Sequence, residues 1–213
     1  LYVASDARHR KIVDSAKGGG HVPLTLKSGF TNEWNTVRWT RAPGPLREAA
    51  GLSYQEFSSL KEPLPLKGDP FGAGAENKAF VWADMVLPEA AKPLAFYDHP
   101  FFGRYPALTR NAFGKGTVTY QGTVLSDALQ LKLVADVLQQ AGIAPEAGLP
   151  AGVRARQAVA RDGKALRFYL NFSGEPQSFV YGHGAGTELL SQKPVAVGGQ
   201  VVLGPWDLAV VRE

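Results

Sequence analysis

An acid, an imidazole, a guanidinium and four aromatic rings fall within ten residues of this chain: Tyr97-Asp98-His99-Pro100-Phe101-Phe102-Gly103-Arg104-Tyr105-Pro106. Such a set suits two kinds of chemistry. Aromatics and arginine dominate the anchors of protein interfaces, and an Asp–His pair can exchange a proton. A third reading is structural, with Arg104 paired to Asp98 and the rings turned into the core. No substrate-orienting partner for Asp98 and His99 can be named from the sequence. His99, Phe101, Phe102, Arg104 and Tyr105 are therefore candidates for contact, and no residue is assigned to catalysis. Trp34 and Trp39, in a long polar loop, are candidates for exposed contacts with a protein or a sugar face. Trp82, inside an apolar run, and Trp206, in the turn Pro205-Trp206-Asp207, are expected in the core.

Other chemistries find little support. No Gly-x-Ser-x-Gly elbow occurs, so an α/β-hydrolase nucleophile is absent. The chain has no cysteine, which removes disulfides, thiolate metal sites and cysteine nucleophiles together. Gly18-Gly19-Gly20 follows a helical segment instead of preceding one, so it reads as a helix stop and not a phosphate cradle. His9, His21, His99 and His183 share no ligand spacing. His9 is expected at a helix surface, His21 at the start of a strand and His183 in a turn. No metal or cofactor is expected. The sequon Asn171-Phe172-Ser173 sits at a strand end, where a chance match is expected. The net charge of +4 is spread evenly along the chain, whereas nucleic-acid binding needs clustered basic groups. No run approaches the ~18 apolar residues of a membrane helix.

The elements that must position these residues alternate in kind. Leu1 to Ala4 reads as a short strand, and Ser5-Asp6 as the N-terminus of a helix with an inward stripe of Ile12, Val13 and Ala16. His21 to Leu26 returns as a second strand, pairing in parallel with the first through a right-handed crossover. Leu46 to Ala50 can make one or two helical turns ending at Gly51. Phe80 to Leu87 and Leu94 to Tyr97 are apolar strands. Ala107 to Phe113 and Thr117 to Val124 flank Gly114-Lys115-Gly116 as a hairpin with a three-residue loop. Ser126 caps a helix carrying Leu129, Leu133, Val137 and Val134, Leu138, Ala141 at helical spacings, closed by Gly142 and Pro145. Beyond the connector Ala144 to Gly152 only short alternating strands remain, as in a small antiparallel sandwich or barrel. The predicted domains are residues 1–147, α/β, and 148–213, all β.

Several of these segments together resemble one family. Gly44-Pro45-Leu46-Arg47-Glu48, Gly51 to Phe57, Tyr97 to Asn111 and Gly114 to Thr123 resemble the middle, trimerisation domain of glycoside hydrolase family 42 β-galactosidases, and Val153 to Glu213 resembles that family's small C-terminal β domain. The resemblance implies a flavodoxin-like sheet domain of the class I glutamine-amidotransferase type, without amidotransferase chemistry, used for assembly into homotrimers. It implies that the intact enzyme hydrolyses terminal β-D-galactosides in an N-terminal barrel bearing two catalytic glutamates, placed as retaining glycosidases require. A barrel of ~250 residues exceeds this chain, which alone should be inactive. In such a domain a strand and helix would precede Leu1, so the sheet domain is expected to be N-terminally incomplete, with a truncation at Leu1. The resemblance favours a cytoplasmic protein. The alternative from the residues is a carbohydrate-binding or protein-interaction module without enzymatic activity, built on Trp34, Trp39 and the His99 to Tyr105 loop.

Overall fold

Two serine-capped helices and a glycine-tipped hairpin organise the first part of the chain. The computed structural model describes residues 1–144 and 147–213, in two units, Leu1–Ala144 and Pro145–Glu213. Pro145, expected to help close the long helix, lies outside the described residues. The first unit carries, in chain order, α1 (Asp6–Lys17), β1 (His21–Thr25), α2 (Arg47–Ala50), β2 (Leu52–Ser53), β3 (Phe57–Ser59), β4 (Leu64–Lys67), β5 (Lys78–Asp84), β6 (Leu87–Pro88), β7 (Lys92–Tyr97), β8 (Pro106–Phe113), β9 (Gly116–Gln121), β10 (Thr123–Leu125) and α3 (Asp127–Gln140).

Its main sheet runs β1-β9-β8-β7-β4-β5-β10, with β3 also on β5. Only β1 and β9 pair in parallel; the other ladders are antiparallel. The sheet is therefore mixed. Val118 and Tyr120 of β9 pack with Ala16 of α1 and Ala49 and Ala50 of α2. On the other face Leu129, Leu133 and Val137 of α3 pack on Leu66, Ala95 and Leu108. Each fully buried leucine there contributes roughly 1.5–3 kcal/mol.

The caps follow from the sequence. Ser5 Oγ accepts from the Arg8 amide and Ser126 Oγ from the Leu129 amide, each satisfying a helix-end donor. Gly51 ends α2 in the left-handed region, at φ 65°. The hairpin β8–β9 forms as expected, but Phe113 lies opposite Gly116, so its loop is the two residues Gly114-Lys115. The Lys115 amide donates to Lys17 O and the Thr117 amide to Gly20 O. The hairpin tip thus lies on the end of α1, and a Cβ on Gly116 would stand 2.1 Å from Gly20 O.

Four expectations need correction. Leu1 to Ala4 is not a strand beside β1: Val3 makes one parallel bridge to Thr31, and β1 takes β9 as its partner. His9 is fully buried, because the Arg38 side chain folds across the first turns of α1 and covers it. The second stripe of α3 does not face the core; Val134 and Ala141 are exposed, as is Leu131, since a single sheet face meets one stripe only. Trp206 is 70% exposed, at φ 57° in the turn before the last strand, which directs its ring outward.

The second unit carries β11 (Val153–Val159), β12 (Ala165–Asn171), β13 (Gln177–Val180), β14 (Gly186–Glu188), β15 (Pro194–Val195), β16 (Gln200–Leu203) and β17 (Leu208–Arg212). A five-stranded sheet, β11-β12-β17-β14-β15, and the ribbon β13-β16 are antiparallel throughout. Its core gathers Tyr169, Phe179, Tyr181, Leu203 and Val211. Asn171 is buried and donates to the carbonyls of Glu175 and Gly204, both at 2.8 Å. Its amide is committed to the fold, so the sequon presents no free acceptor.

Candidate functional site

The loop Tyr97 to Pro106 folds on itself. Phe102 to Arg104 makes a single 3-10 turn. His99 Nδ1 accepts from the amides of Phe101 and Phe102 at 3.1 and 3.2 Å, and its ring stacks on Phe102 with centroids 4.6 Å apart. Phe102 and Tyr105 pack against the core under α3. The Arg104 guanidinium lies 4.8 Å from the Tyr105 centroid and 5.3 Å from Phe101, within cation–π range. Asp98 does not pair with Arg104 but with Lys67, at 3.1 Å. The imidazole nitrogen nearest the chain is thus occupied by backbone, and the carboxylate by a lysine. The loop therefore reads as a folded corner whose exposed ring is Phe101.

Trp34 and Trp39 are presented differently. Residues 30–38 form a small hairpin: Val37 bridges Thr31, the Asn32 amide donates to Thr36 O and the Arg38 amide to Phe30 O. Asn32 Oδ1 accepts from the amides of Trp34 and Thr36, fixing the tip. Asparagine favours this because its short amide mimics a turn of backbone. Arg38 points inward, Nη1 donating to Asp6 at 2.6 Å and Nη2 to Ala4 O at 2.9 Å. Trp39, next in sequence, points out and is 96% exposed; Trp34 at the tip is 77% exposed. A cavity of about 240 Å³ runs between this hairpin and the sheet, lined by Phe30, Val37, Arg38, Trp39, Tyr54 and Phe57.

Beyond the cavity lies a feature that local sequence gives no means of reading. The Lys27 ammonium sits 4.0 Å from the Trp82 centroid, 4.7 Å from Phe57, 5.4 Å from Phe30 and 5.8 Å from Tyr2. The four rings form a continuous line, Tyr2 stacked on Phe30, Phe30 edge-on to Phe57, and Phe57 tilted over Trp82. Val81, at φ 63° in a register break of β5, precedes Trp82. Behind the rings Asp84 is fully buried, accepting from Trp82 Nε1 at 2.8 Å, Tyr120 OH at 2.7 Å and the Lys27 amide at 3.4 Å. Burial pushes its carboxyl up, and these donors act against that shift.

The cluster is held together from within, by hydrogen bonds to Asp84 and by the cation among the rings. A retaining glycosidase needs two carboxyls at ~5–5.5 Å; the Asp84 carboxyl is raised chiefly by burial and is engaged by Trp82, Tyr120 and Lys27. His9 is held below the usual imidazole range by burial and then by Arg38. Among the described residues no group of three or more His, Asp or Glu could hold a metal ion, and no helix is long and apolar enough to cross a membrane.

Comparison with known proteins gives consistent matches. The family profile described as β-galactosidase trimerisation domain matches residues 1–144, and that described as β-galactosidase C-terminal domain matches residues 152–213. β-Galactosidase BglY of Alicyclobacillus acidocaldarius is 30% identical, the match covering 100% of this chain and 31% of that protein. β-Galactosidase LacA of Lactobacillus acidophilus is 29% identical over 84% of this chain and 26% of its own length. The chain thus spans between about a quarter and a third of the length of these curated relatives. Among solved structures, a β-galactosidase from Bacillus circulans sp. alkalophilus matches with TM-score 0.82 and 25% identity, covering 100% of this chain and 32% of its own. A β-galactosidase from Rahnella sp. R3 shares the fold with TM-score 0.77 at 21% identity, over 100% of this chain and 31% of that one.

Proposed function

Because the chain belongs to the glycoside hydrolase family 42 β-galactosidases, carrying their trimerisation and C-terminal domains, we propose that its own role is assembly: it joins copies of a β-galactosidase whose cleavage chemistry lies in residues other than these. The observation that carries the reading is the agreement between domain matches and physical units. The trimerisation match ends at residue 144, where the first unit ends, and the C-terminal match falls within the second. The whole protein is then a hydrolase of terminal β-D-galactosides that works as a homo-oligomer, a trimer by the description of its domain, without metal or cofactor in this part and in the cytoplasm.

We read the first unit as a flavodoxin-like, amidotransferase-like sheet whose missing cysteine rules out amidotransferase chemistry. The parallel β1–β9 pair and the helices on both faces support this reading, in a sheet whose other ladders are antiparallel. Contacts between copies are drawn from the candidates Trp34, Trp39, His99, Phe101, Phe102, Arg104 and Tyr105. Light scattering on the purified chain tests assembly, and a chromogenic galactoside tests cleavage. A mass of one chain at every concentration would overturn the assembly role, and galactoside turnover by these residues alone would overturn the assignment of catalysis elsewhere. A sugar-binding role for Trp39 is the second reading, favoured by its near-complete exposure beside the cavity.

A further inference from the structure

We propose that the face by which one copy of this chain grips the next is the aromatic surface made by the Trp34–Trp39 hairpin and the Lys27 ring cluster, and not the His99 to Tyr105 loop. The inference rests on the assembly reading above and names the surface that performs it.

Area is the first argument. Trp39 is 96% and Trp34 77% exposed, and Tyr2 and Phe57, both packed on Phe30 at the base of the hairpin, are 41% and 39% exposed. At ~150–250 Å² per ring these four side chains offer on the order of 500 Å² of aromatic surface, against the ~800 Å² that each partner buries in a standard interface. A patch of this size matches the largest apolar patch of an ordinary monomer, which is often functional, and tryptophans are the side chains that most often carry binding energy in contacts.

Order before contact is the second argument. The hairpin tip is closed by Asn32, its base is pinned by Arg38 to Asp6 and Ala4, and the rings are spaced around a cation. A hairpin whose backbone is already fixed loses little freedom on binding.

Occupancy by a second copy follows from the domain itself, whose family is described by self-association. A three-fold ring needs a heterologous contact, in which one face of a copy meets a different face of the next. A projecting hairpin such as this supplies one half of that arrangement. The His99 loop offers less, since its imidazole, Phe102 and Tyr105 are spent on internal contacts and Phe101 is its exposed ring.

The test uses the whole chain and light scattering across a concentration series. The double variant Trp34→Glu/Trp39→Glu changes only exposed side chains, and its far-ultraviolet spectrum and melting curve check that it folds. Controls are Phe101→Glu on the other loop and Leu131→Glu on the exposed side of α3. The expected result is an assembling wild type, a double variant whose dissociation constant rises by roughly 30-fold or more, as loss of an interface hot spot predicts, and controls that assemble as wild type does. If the wild type assembles and the double variant does so within a few-fold, the assigned face is wrong while the assembly role stands. Loss of assembly in either control with the double variant intact places the face elsewhere and overturns the proposal. A wild type that stays a single chain overturns the assembly role and this proposal together, and saturable lactose binding at Trp39 in that case would assign the surface to a sugar.

Discussion

Replacing Arg38 by methionine retains the apolar stem and removes the guanidinium that pins the exposed hairpin. Besides a long contact to His9 Nδ1 at 3.5 Å, the arginine makes two bonds of unequal worth. Its pair with Asp6 involves a carboxylate that is mostly exposed, so screening limits it to ~1 kcal/mol or less. Its bond to Ala4 O satisfies the carbonyl of a buried residue, and stranding such an acceptor costs ~1–3 kcal/mol. Against this, Arg38 Nε is itself buried without a partner, and its removal returns part of the loss. The net expectation for Arg38→Met is a destabilisation of about 1–2 kcal/mol. With a urea dependence of ~2 kcal/mol per molar, the midpoint for the first unit falls by roughly 0.5–1 M. Hydrogen exchange at the Asn32 and Arg38 amides, which close the hairpin, should speed up more than exchange in β8 and β9. A midpoint and hairpin exchange both unchanged from wild type would refute the view that Arg38 holds the hairpin in place.

Three further outcomes are expected. The folded-state pKa of His9 lies below its unfolded value of ~6.5, through burial and then Arg38; its share of stability is whole above that pH and is lost as pH falls toward the folded value. His9→Phe should flatten the melting temperature between pH ~7 and ~5 relative to wild type, and an identical slope in both proteins would sink this reading. Asp84 shifts the other way, its carboxyl raised by burial, so its share is present below the unfolded pKa of ~3.9 and lost as pH rises through the folded value. Asp84→Asn should therefore gain on wild type as pH rises from ~4 to ~7, and a difference constant with pH in paired urea titrations counts against it. Gly116→Ala places a Cβ 2.1 Å from Gly20 O and 2.5 Å from Ala16 O, both backbone; about 1–3 kcal/mol of overpacking is expected, and a melting temperature equal to wild type would show that the hairpin tip is not tightly seated on α1.

Legibility in the sequence followed the range of the interaction. The caps at Ser5 and Ser126, the stop at Gly51 and the existence of the hairpin around Gly114, though not the length of its loop, are set by residues a few positions apart and were readable. The burial of His9 was not, because its cover, Arg38, lies on a loop that folds back from far along the chain. Trp206 looked like core by residue type, but its turn geometry decided otherwise. The pairing of Asp98 with Lys67 joins neighbouring strands, and sequence proximity had suggested Arg104. Least readable was the Lys27 cluster, whose rings come from residues 2, 30, 57 and 82; no spacing rule connects them, and only the sheet brings them together.

The placement of the tryptophans has a spectroscopic consequence. Trp34, Trp39 and Trp206 lie in water, so their emission should be long-wavelength and readily quenched by iodide. Trp82 alone is sheltered, with a cation over its ring and its indole N–H on a buried carboxylate. The native chain thus contains its own optical label for contact: any partner that covers the hairpin shifts two of its four indoles to the blue, with no dye attached and no residue altered.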